Sequence, residues 1–160
     1  MHVDRTEKIF IIGSIIMVAI FALAIAISGI AFGIQVPAPY QQVDPNTVAT
    51  PGNSPFGAPV DERVREIAPG KYEAYILAQT WVFLPNEVRI PAGSELTFYV
   101  TSKDVQHGFV VERTNINVMI LPGQVSKVTA TFDEPGEYYF ICHEYCGVGH
   151  QTMYGRLIVE

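Results

Sequence analysis

The stretch that most constrains the fold is a run of 28 residues without a charged side chain, from Ile9 to Val36. It consists mostly of isoleucine, alanine, phenylalanine and valine. About 20 such residues are enough to cross the apolar core of a bilayer as a helix, whereas the apolar part of a secretory signal usually has only about 7–15 residues. We therefore interpret residues 9–36 as an uncleaved transmembrane anchor.

Basic residues flank this run on one side only. Arg5 and Lys8 precede it, and the next basic residue after it is Arg63. Because basic flanks stay in the cytoplasm, we expect residues 1–8 to be cytoplasmic and the rest to lie on the outer face of the plasma membrane, after a single pass. The exported part then carries the whole net charge of −6, which disfavours nucleic acid and favours a basic protein partner.

Residues 37–70 differ in composition from what precedes and follows them. Seven of the eleven prolines of the chain fall in this segment. Proline has no N–H group to donate and interrupts helices and central strands. We expect an extended, proline-rich linker with little structure of its own.

From residue 71 onward the chain shows a pattern of short strands. In VSKVTATF (125–132), for example, Val128 and Phe132 share one face and Lys127 and Thr131 the other. Glycine, proline, aspartate or asparagine separates such segments. Many short strands with intervening turns over roughly 90 residues are typical of a Greek-key sandwich or barrel. The predicted fold is mainly β, with one N-terminal transmembrane helix.

The segment ICHEYCGVGHQTMYG (141–155) contains four side chains with soft or borderline donor atoms. They are Cys142, Cys146, His150 and Met153. The stretches EYYFIC (137–142) and YGRLIV (154–159), which overlap its two ends, are predicted strands, so residues 143–153 should form a loop at one end of the sandwich. Loops held on a rigid scaffold often carry binding groups.

The two cysteines, the only ones in the chain, admit three interpretations. A disulfide is permitted outside the membrane, but a bond between Cys142 and Cys146 would close a small ring, stabilise little and leave His150 and Met153 unexplained. Zinc binds thiolate and imidazole, but thioether is not among its usual ligands. Thiolate, imidazole and thioether together favour copper. For Met153 alone, core packing is the simpler interpretation.

The number of cysteines also bears on the number of metal ions. A mononuclear blue-copper site takes a histidine from an upstream strand and Cys, His and Met from one loop. His107, 35 positions before Cys142, could be that histidine, although a lone histidine there is more often structural. One cysteine then remains, and two thiolates in one loop can bridge two metal ions. The alternative function is a membrane-tethered mononuclear cupredoxin, as an electron carrier or copper-binding protein.

Taken together, these residues resemble the motif of a known family. The run Cys142-x-Glu144-x-Cys146-Gly147-x-x-His150-x-x-Met153, with an upstream Asp104-Val105-x-His107, resembles the dinuclear copper A site of cytochrome c oxidase subunit II. The single helix and the stretch HGFVVERTNINVMILPGQ (107–124) resemble the B-type, single-helix branch of the haem–copper oxidases. The resemblance covers the anchor and residues 71–160, and implies a cupredoxin-like copper A domain there.

The resemblance implies a ligand set for two copper ions. It comprises two bridging cysteines, two histidines that bind one copper each, a weakly bound methionine and a weakly bound backbone carbonyl: Cys142, Cys146, His107, His150, Met153 and Glu144. His143, between the cysteines, is expected to point away from the metal.

The resemblance also suggests roles, which it defines less closely, for Asp104, Trp81 and the side-chain carboxylate of Glu144. Asp104 is a candidate partner for the free N–H group of a ligand histidine, or a plain surface acid. Trp81 resembles the aromatic region near which the electron donor docks, and would be the point at which electrons enter, or else a core aromatic. The Glu144 carboxylate is a feature of the A-type branch, where it helps to hold magnesium at the subunit interface. That ion is left unassigned for this chain.

The implied function is electron transfer within a respiratory enzyme. The chain would accept single electrons from cytochrome c or a small copper protein at its copper pair. It would pass them to haem in subunit I, where oxygen is reduced to water and protons are translocated. The chain itself has no histidines to bind haem within the bilayer, so it is expected to be a subunit of an oxidoreductase and translocase, without oxygen chemistry of its own.

Overall fold

The N-terminal part of the chain is a single long helix. The structure, a computed structural model, describes residues 4–33 and 39–160, so Ile34 to Val36 of the predicted anchor and the first two residues of the predicted linker lie outside the described residues. Helix α1 spans Arg5–Ala31, and the Asp4 carboxylate accepts a hydrogen bond from the Arg5 N–H at its start. Its 27 residues extend for about 40 Å, which exceeds the roughly 30 Å of a bilayer core. By length and composition this helix can span a membrane.

Residues 39–160 form two β-sheets. The eleven strands are β1 Pro39–Gln42, β2 Val64–Ala68, β3 Lys71–Gln79, β4 Val82–Leu84, β5 Glu87–Ile90, β6 Ser94–Ser102, β7 His107–Val111, β8 Asn117–Ile120, β9 Gln124–Phe132, β10 Gly136–Ile141 and β11 Tyr154–Val159. One sheet has the order β1-β9-β6-β3-β2 with β4 paired to β3, and the other has the order β5-β11-β10-β7-β8. The pairs β3–β6 and β5–β11 are parallel, and the other strand pairs are antiparallel. The predicted mainly β fold is confirmed.

The core between the sheets is built on phenylalanine. Phe109 makes edge-to-face contacts with Phe83 and Phe98, at ring-centroid distances of 5.7 and 5.2 Å, and Phe83 makes another with Phe140 at 5.5 Å. Aromatic pairs in this arrangement add to the stabilisation that burial provides. The same buried cluster includes Cys142, Cys146 and Met153. The sulfur atoms of the predicted site therefore continue the hydrophobic core at one end of the sandwich.

The segment before the domain is not the structureless linker that its prolines suggested. Strand β1 pairs with β9, placing Gln41 opposite Val125. Val48 and Phe56 are buried against Leu77 and Tyr99 on the outer face of the first sheet. Proline prevents helices and central strands here, but it does not prevent the segment from covering a sheet with apolar side chains. The expectation of little structure is therefore wrong for residues 39–68: residues 39–63 form a covering segment of the domain, and residues 64–68 are strand β2.

Removal of one side chain tests how firmly the covering segment is held. Phe56 is 3% exposed and makes an edge-to-face contact with Tyr75 at 5.5 Å. We expect Phe56→Ala to lower the free energy of unfolding by about 3 kcal/mol, measured by chemical denaturation of the full chain in detergent. Val60→Ala, at an exposed position of the same segment, is the control and should change it by less than about 0.5 kcal/mol. Equal effects of the two substitutions would show that the segment is only loosely attached.

Candidate metal centre

The ligand loop is a closed structure between two neighbouring strands. It leaves β10 at Cys142 and reaches β11 after Met153, and the Cys142 N–H donates to the Met153 carbonyl at 3.0 Å. Within the loop, residues His150–Thr152 make one 3-10 turn. Gly147 has φ of +117°, a backbone conformation that favours glycine. The hydrogen bond at the base and the tight turn restrict the conformations open to the loop.

The loop and strand β7 bring the predicted ligand atoms together. The Sγ atoms of Cys142 and Cys146 are 3.6 Å apart. His107 Nδ1 lies 3.9 Å from the first sulfur atom, and His150 Nδ1 lies 3.6 Å from the second. Each thiol therefore has an imidazole nitrogen beside it. The side chains of His107, Cys142 and Cys146 are buried, and their ligand atoms lie within 4.8 Å of one another.

Two weaker donors complete this group. The Met153 Sδ atom is 3.7 Å from Cys146 Sγ, and the backbone carbonyl oxygen of Glu144 is 3.2 Å from Cys142 Sγ. We call the whole set, which includes both cysteines and both histidines, the six-donor site. Its combination of thiol, imidazole, thioether and carbonyl groups fits copper, since hard cations such as magnesium prefer oxygen ligands and zinc seldom takes a thioether.

The two cysteines are free thiols in this structure. Their separation of 3.6 Å is far longer than a disulfide bond of about 2.05 Å. Burial, followed by the hydrogen bond with Cys142, raises the pKa of the Cys146 thiol to about 12. Near neutral pH this thiol is protonated without metal. A metal ion that binds it as thiolate must release the proton, which makes binding stronger as the pH rises.

Asp104 fixes the orientation of His107. Its Oδ1 atom is 2.9 Å from His107 Nε2, and the carboxylate also accepts hydrogen bonds from the N–H groups of Thr80 and Val105, both at 2.7 Å. Burial alone would raise the pKa of the Asp104 carboxyl, but these hydrogen bonds outweigh it and lower the pKa to about 2. The carboxylate can then only accept, so Nε2 carries the proton and Nδ1 is free to face the sulfur atoms.

Trp81 lies against the ligand loop. Its indole Nε1–H donates to the Cys146 carbonyl at 3.1 Å. A β-carbon on Gly147 would lie 3.0 Å from the same nitrogen, and one on Gly149 would lie 2.5–2.8 Å from indole carbon atoms. The side chain remains 41% exposed. Trp81 is thus both in contact with the loop and accessible from outside.

The remaining predicted residues lie at the edge of the site. His143 is exposed and makes none of the described contacts with the ligand sulfur atoms. The Glu144 carboxylate is 3.5 Å from the amide nitrogen of Gln106, while the carbonyl of the same residue faces Cys142. Sequence reasoning missed Gly108, which follows His107 directly and contacts the loop backbone. A glycine beside a candidate ligand was the only signal for it.

Comparison with known proteins identifies similar chains. The family model "Cytochrome C oxidase subunit II, periplasmic domain" matches residues 71–159. A cytochrome c oxidase subunit 2 from Thermus thermophilus is 48% identical over 120 residues, which are 75% of this chain and 87% of that protein. One chain in a cryo-EM structure of a heme-copper terminal oxidase dimer is 34% identical, with a TM-score of 0.73 over 98% of this chain and 100% of that one.

A third similarity concerns the fold alone. The crystal structure of the periplasmic domain of subunit II of cytochrome oxidase from Bradyrhizobium japonicum is 19% identical, with a TM-score of 0.51 over 55% of this chain and 83% of that one. The predicted fold class, a cupredoxin-like sandwich preceded by one apolar helix, is confirmed.

Proposed function

This chain belongs to the cytochrome c oxidase subunit II family, and on that basis we propose that the six-donor site holds two copper ions as a copper A centre. The chain is the electron-accepting subunit of a haem–copper terminal oxidase, an oxidoreductase. The observation that carries the proposal is the 3.6 Å separation of two free thiols, each beside its own histidine. A mononuclear site would leave one of these thiols without a role.

The residues of the site have separate parts in this proposal. A pair of copper ions held there would supply reversible one-electron transfer. Cys142, Cys146, His107 and His150 would hold the two ions, and Met153 and the Glu144 carbonyl would be the weaker ligands. The closed loop and the surrounding core keep these atoms in place and exclude water, so that little rearrangement accompanies a change of charge.

Copper counting tests the proposal directly. We expect the full chain, purified in detergent and loaded with copper, to retain two copper ions. Its electron paramagnetic resonance spectrum should show the hyperfine pattern of one unpaired electron shared between two copper nuclei. One copper with a single-nucleus pattern would instead support the mononuclear cupredoxin.

Electrons reach this centre from a soluble donor, which we propose to be cytochrome c or a small copper protein, and leave towards haem in subunit I. We place the point at which electrons enter at Trp81, because its exposed indole donates a hydrogen bond to the carbonyl of Cys146, one of the proposed copper ligands. The net charge of −6 favours a basic donor.

We expect Trp81→Ala to slow reduction by the protein donor about tenfold, as loss of a central interface aromatic would. Stopped-flow mixing with the donor measures this rate. A small inorganic reductant, which needs no docking surface, is the control and should reduce the variant at the original rate. Because the indole also packs on the loop, the Trp81→Ala variant should be compared with Trp81→Phe, which keeps an aromatic ring at this position. Normal reduction of both variants by the donor would remove Trp81 from this role.

The chain is a membrane-anchored subunit, and we propose that α1 crosses the bilayer once with its N-terminus in the cytoplasm. Arg5 and Lys8 support that orientation. The copper domain would then face outward, where a soluble donor can reach it. Magnesium stays unassigned, since in the part of the chain that the structure describes the Glu144 carboxylate contacts only Gln106.

A further inference from the structure

Strand β7 touches the ligand loop at a residue without a side chain. Gly108 follows His107, and a β-carbon placed on it would lie 2.7 Å from the backbone nitrogen atoms of both His143 and Glu144. It would also lie 2.9 Å from the His143 Cα atom. These are backbone atoms, which cannot turn aside as the end of a flexible side chain can. The loop can pack this closely on β7 only because residue 108 is glycine.

Space, rather than backbone conformation, requires glycine at this position. The glycines with positive φ in the described chain do not include Gly108. An alanine could therefore adopt the backbone angles of residue 108 without strain. Its β-carbon would, however, displace the backbone of the ligand loop. The effect of a substitution should accordingly appear in the position of the loop.

The part of the loop that would move carries one of the six donors. The peptide between His143 and Glu144 lies directly over Gly108, and the next carbonyl along the chain is that of Glu144. This oxygen is 3.2 Å from Cys142 Sγ. The thiols, by contrast, are fixed by the core cluster, and the loop base is fixed by the hydrogen bond from Cys142 to Met153. Displacement at residue 108 should affect the carbonyl first.

We propose that Gly108 is a positioning residue for the Glu144 carbonyl, and so sets the difference in environment between the two metal positions. The inference rests on the proposed copper A function. A carbonyl oxygen is a hard donor that favours the oxidised over the reduced copper, and weak axial donors of this kind tune the potential of copper sites. Moving this oxygen away should raise the reduction potential and make the two copper nuclei less equivalent.

The test is Gly108→Ala in the full chain, loaded with copper in detergent. We expect the variant to retain two copper ions. Its reduction potential should shift upward in a redox titration, and the hyperfine splittings of its two nuclei should become more unequal. A folded variant with less copper, or with an unchanged potential and spectrum, would contradict the proposal.

Gly57→Ala is a matched control. Gly57 is also buried and its φ is not positive, and a β-carbon there would collide with the Thr50 carbonyl in the covering segment. Gly57→Ala should destabilise the chain without moving the potential. If both variants lose stability and neither changes the spectrum, Gly108 is only a packing residue.

Two further comparisons keep the outcome interpretable. Should the Gly108→Ala chain not fold alone, the same measurements are made in the assembled oxidase, and failure to bind copper there as well contradicts the proposal. If the unmodified chain binds only one copper, the proposed function itself fails. If it binds two and Gly108→Ala behaves like it, only the inference about Gly108 fails.

Discussion

Replacing Cys146 by serine should abolish the spectrum of a shared electron and leave no more than one copper ion in the chain. The serine hydroxyl stays protonated near neutral pH, and its hard oxygen atom is a poor substitute for a soft thiolate towards copper. Cys146 has three of the other donors beside it, because its sulfur atom lies 3.6 Å from both Cys142 Sγ and His150 Nδ1 and 3.7 Å from Met153 Sδ. Copper analysis and paramagnetic resonance of the purified full chain measure the effect.

The neighbouring histidine provides the control for this substitution. His143 is adjacent to Cys142 but exposed. His143→Ala should therefore keep both copper ions and the original spectrum. Loss of the spectrum in both variants would indicate general damage to the loop, and an unchanged spectrum in Cys146→Ser would remove this cysteine from the centre.

Much of this site was predictable because four of its donors lie within twelve positions of one loop. Cys142, Cys146, His150 and Met153 have spacings that need no knowledge of the fold. His107 could be added because a copper site of this kind takes one histidine from a strand upstream of the ligand loop. Its proximity to the sulfur atoms, by contrast, depends on β7 pairing with β10, where Val111 lies opposite Phe140.

The covering segment could not be predicted from its own residues. Val48 and Phe56 occur among prolines and show no strand or helix periodicity. Their burial depends on Leu77 and Tyr99, which lie far away in sequence and form an apolar patch on the outer face of a sheet. Composition reports what secondary structure a segment avoids, whereas the surface it packs against is a property of the folded domain.

Two other features of the site, at Trp81 and Gly108, were not predicted because they depend on contacts between residues distant in sequence. The hydrogen bond from Trp81 to the Cys146 carbonyl joins residues 65 positions apart. The requirement for glycine at Gly108 arises from the loop backbone lying over it, since its own dihedral angles are open to other residues. Both features stiffen the centre, and neither leaves a local pattern in the sequence beyond the residue itself.

Replacing Asp104 by asparagine should weaken copper binding about 10–100-fold, the usual cost of losing the hydrogen-bond partner of a ligand histidine. The carboxylate holds the proton on His107 Nε2 and leaves Nδ1 free. An asparagine keeps the size of the side chain but loses the charge, so the imidazole can carry its proton on Nδ1, where it opposes metal binding. Competition with a copper chelator at neutral pH measures the change.

Acid titration distinguishes orientation of His107 by the Asp104 carboxylate from simple packing of the Asp104 side chain. The pKa of Asp104 is lowered from 3.8 to about 2, mainly because its hydrogen bonds outweigh burial. A group with a lowered pKa stabilises the fold above its unfolded pKa, and that contribution disappears as the pH falls from about 3.8 to 2. Asp104→Asn should lack this part of the acid dependence. Asp133 is an exposed acid at the β9–β10 turn, so Asp133→Asn is the control and should retain both this acid dependence and normal copper affinity. If Asp104→Asn resists the chelator as well as the unmodified chain, the carboxylate does not orient His107 for metal binding.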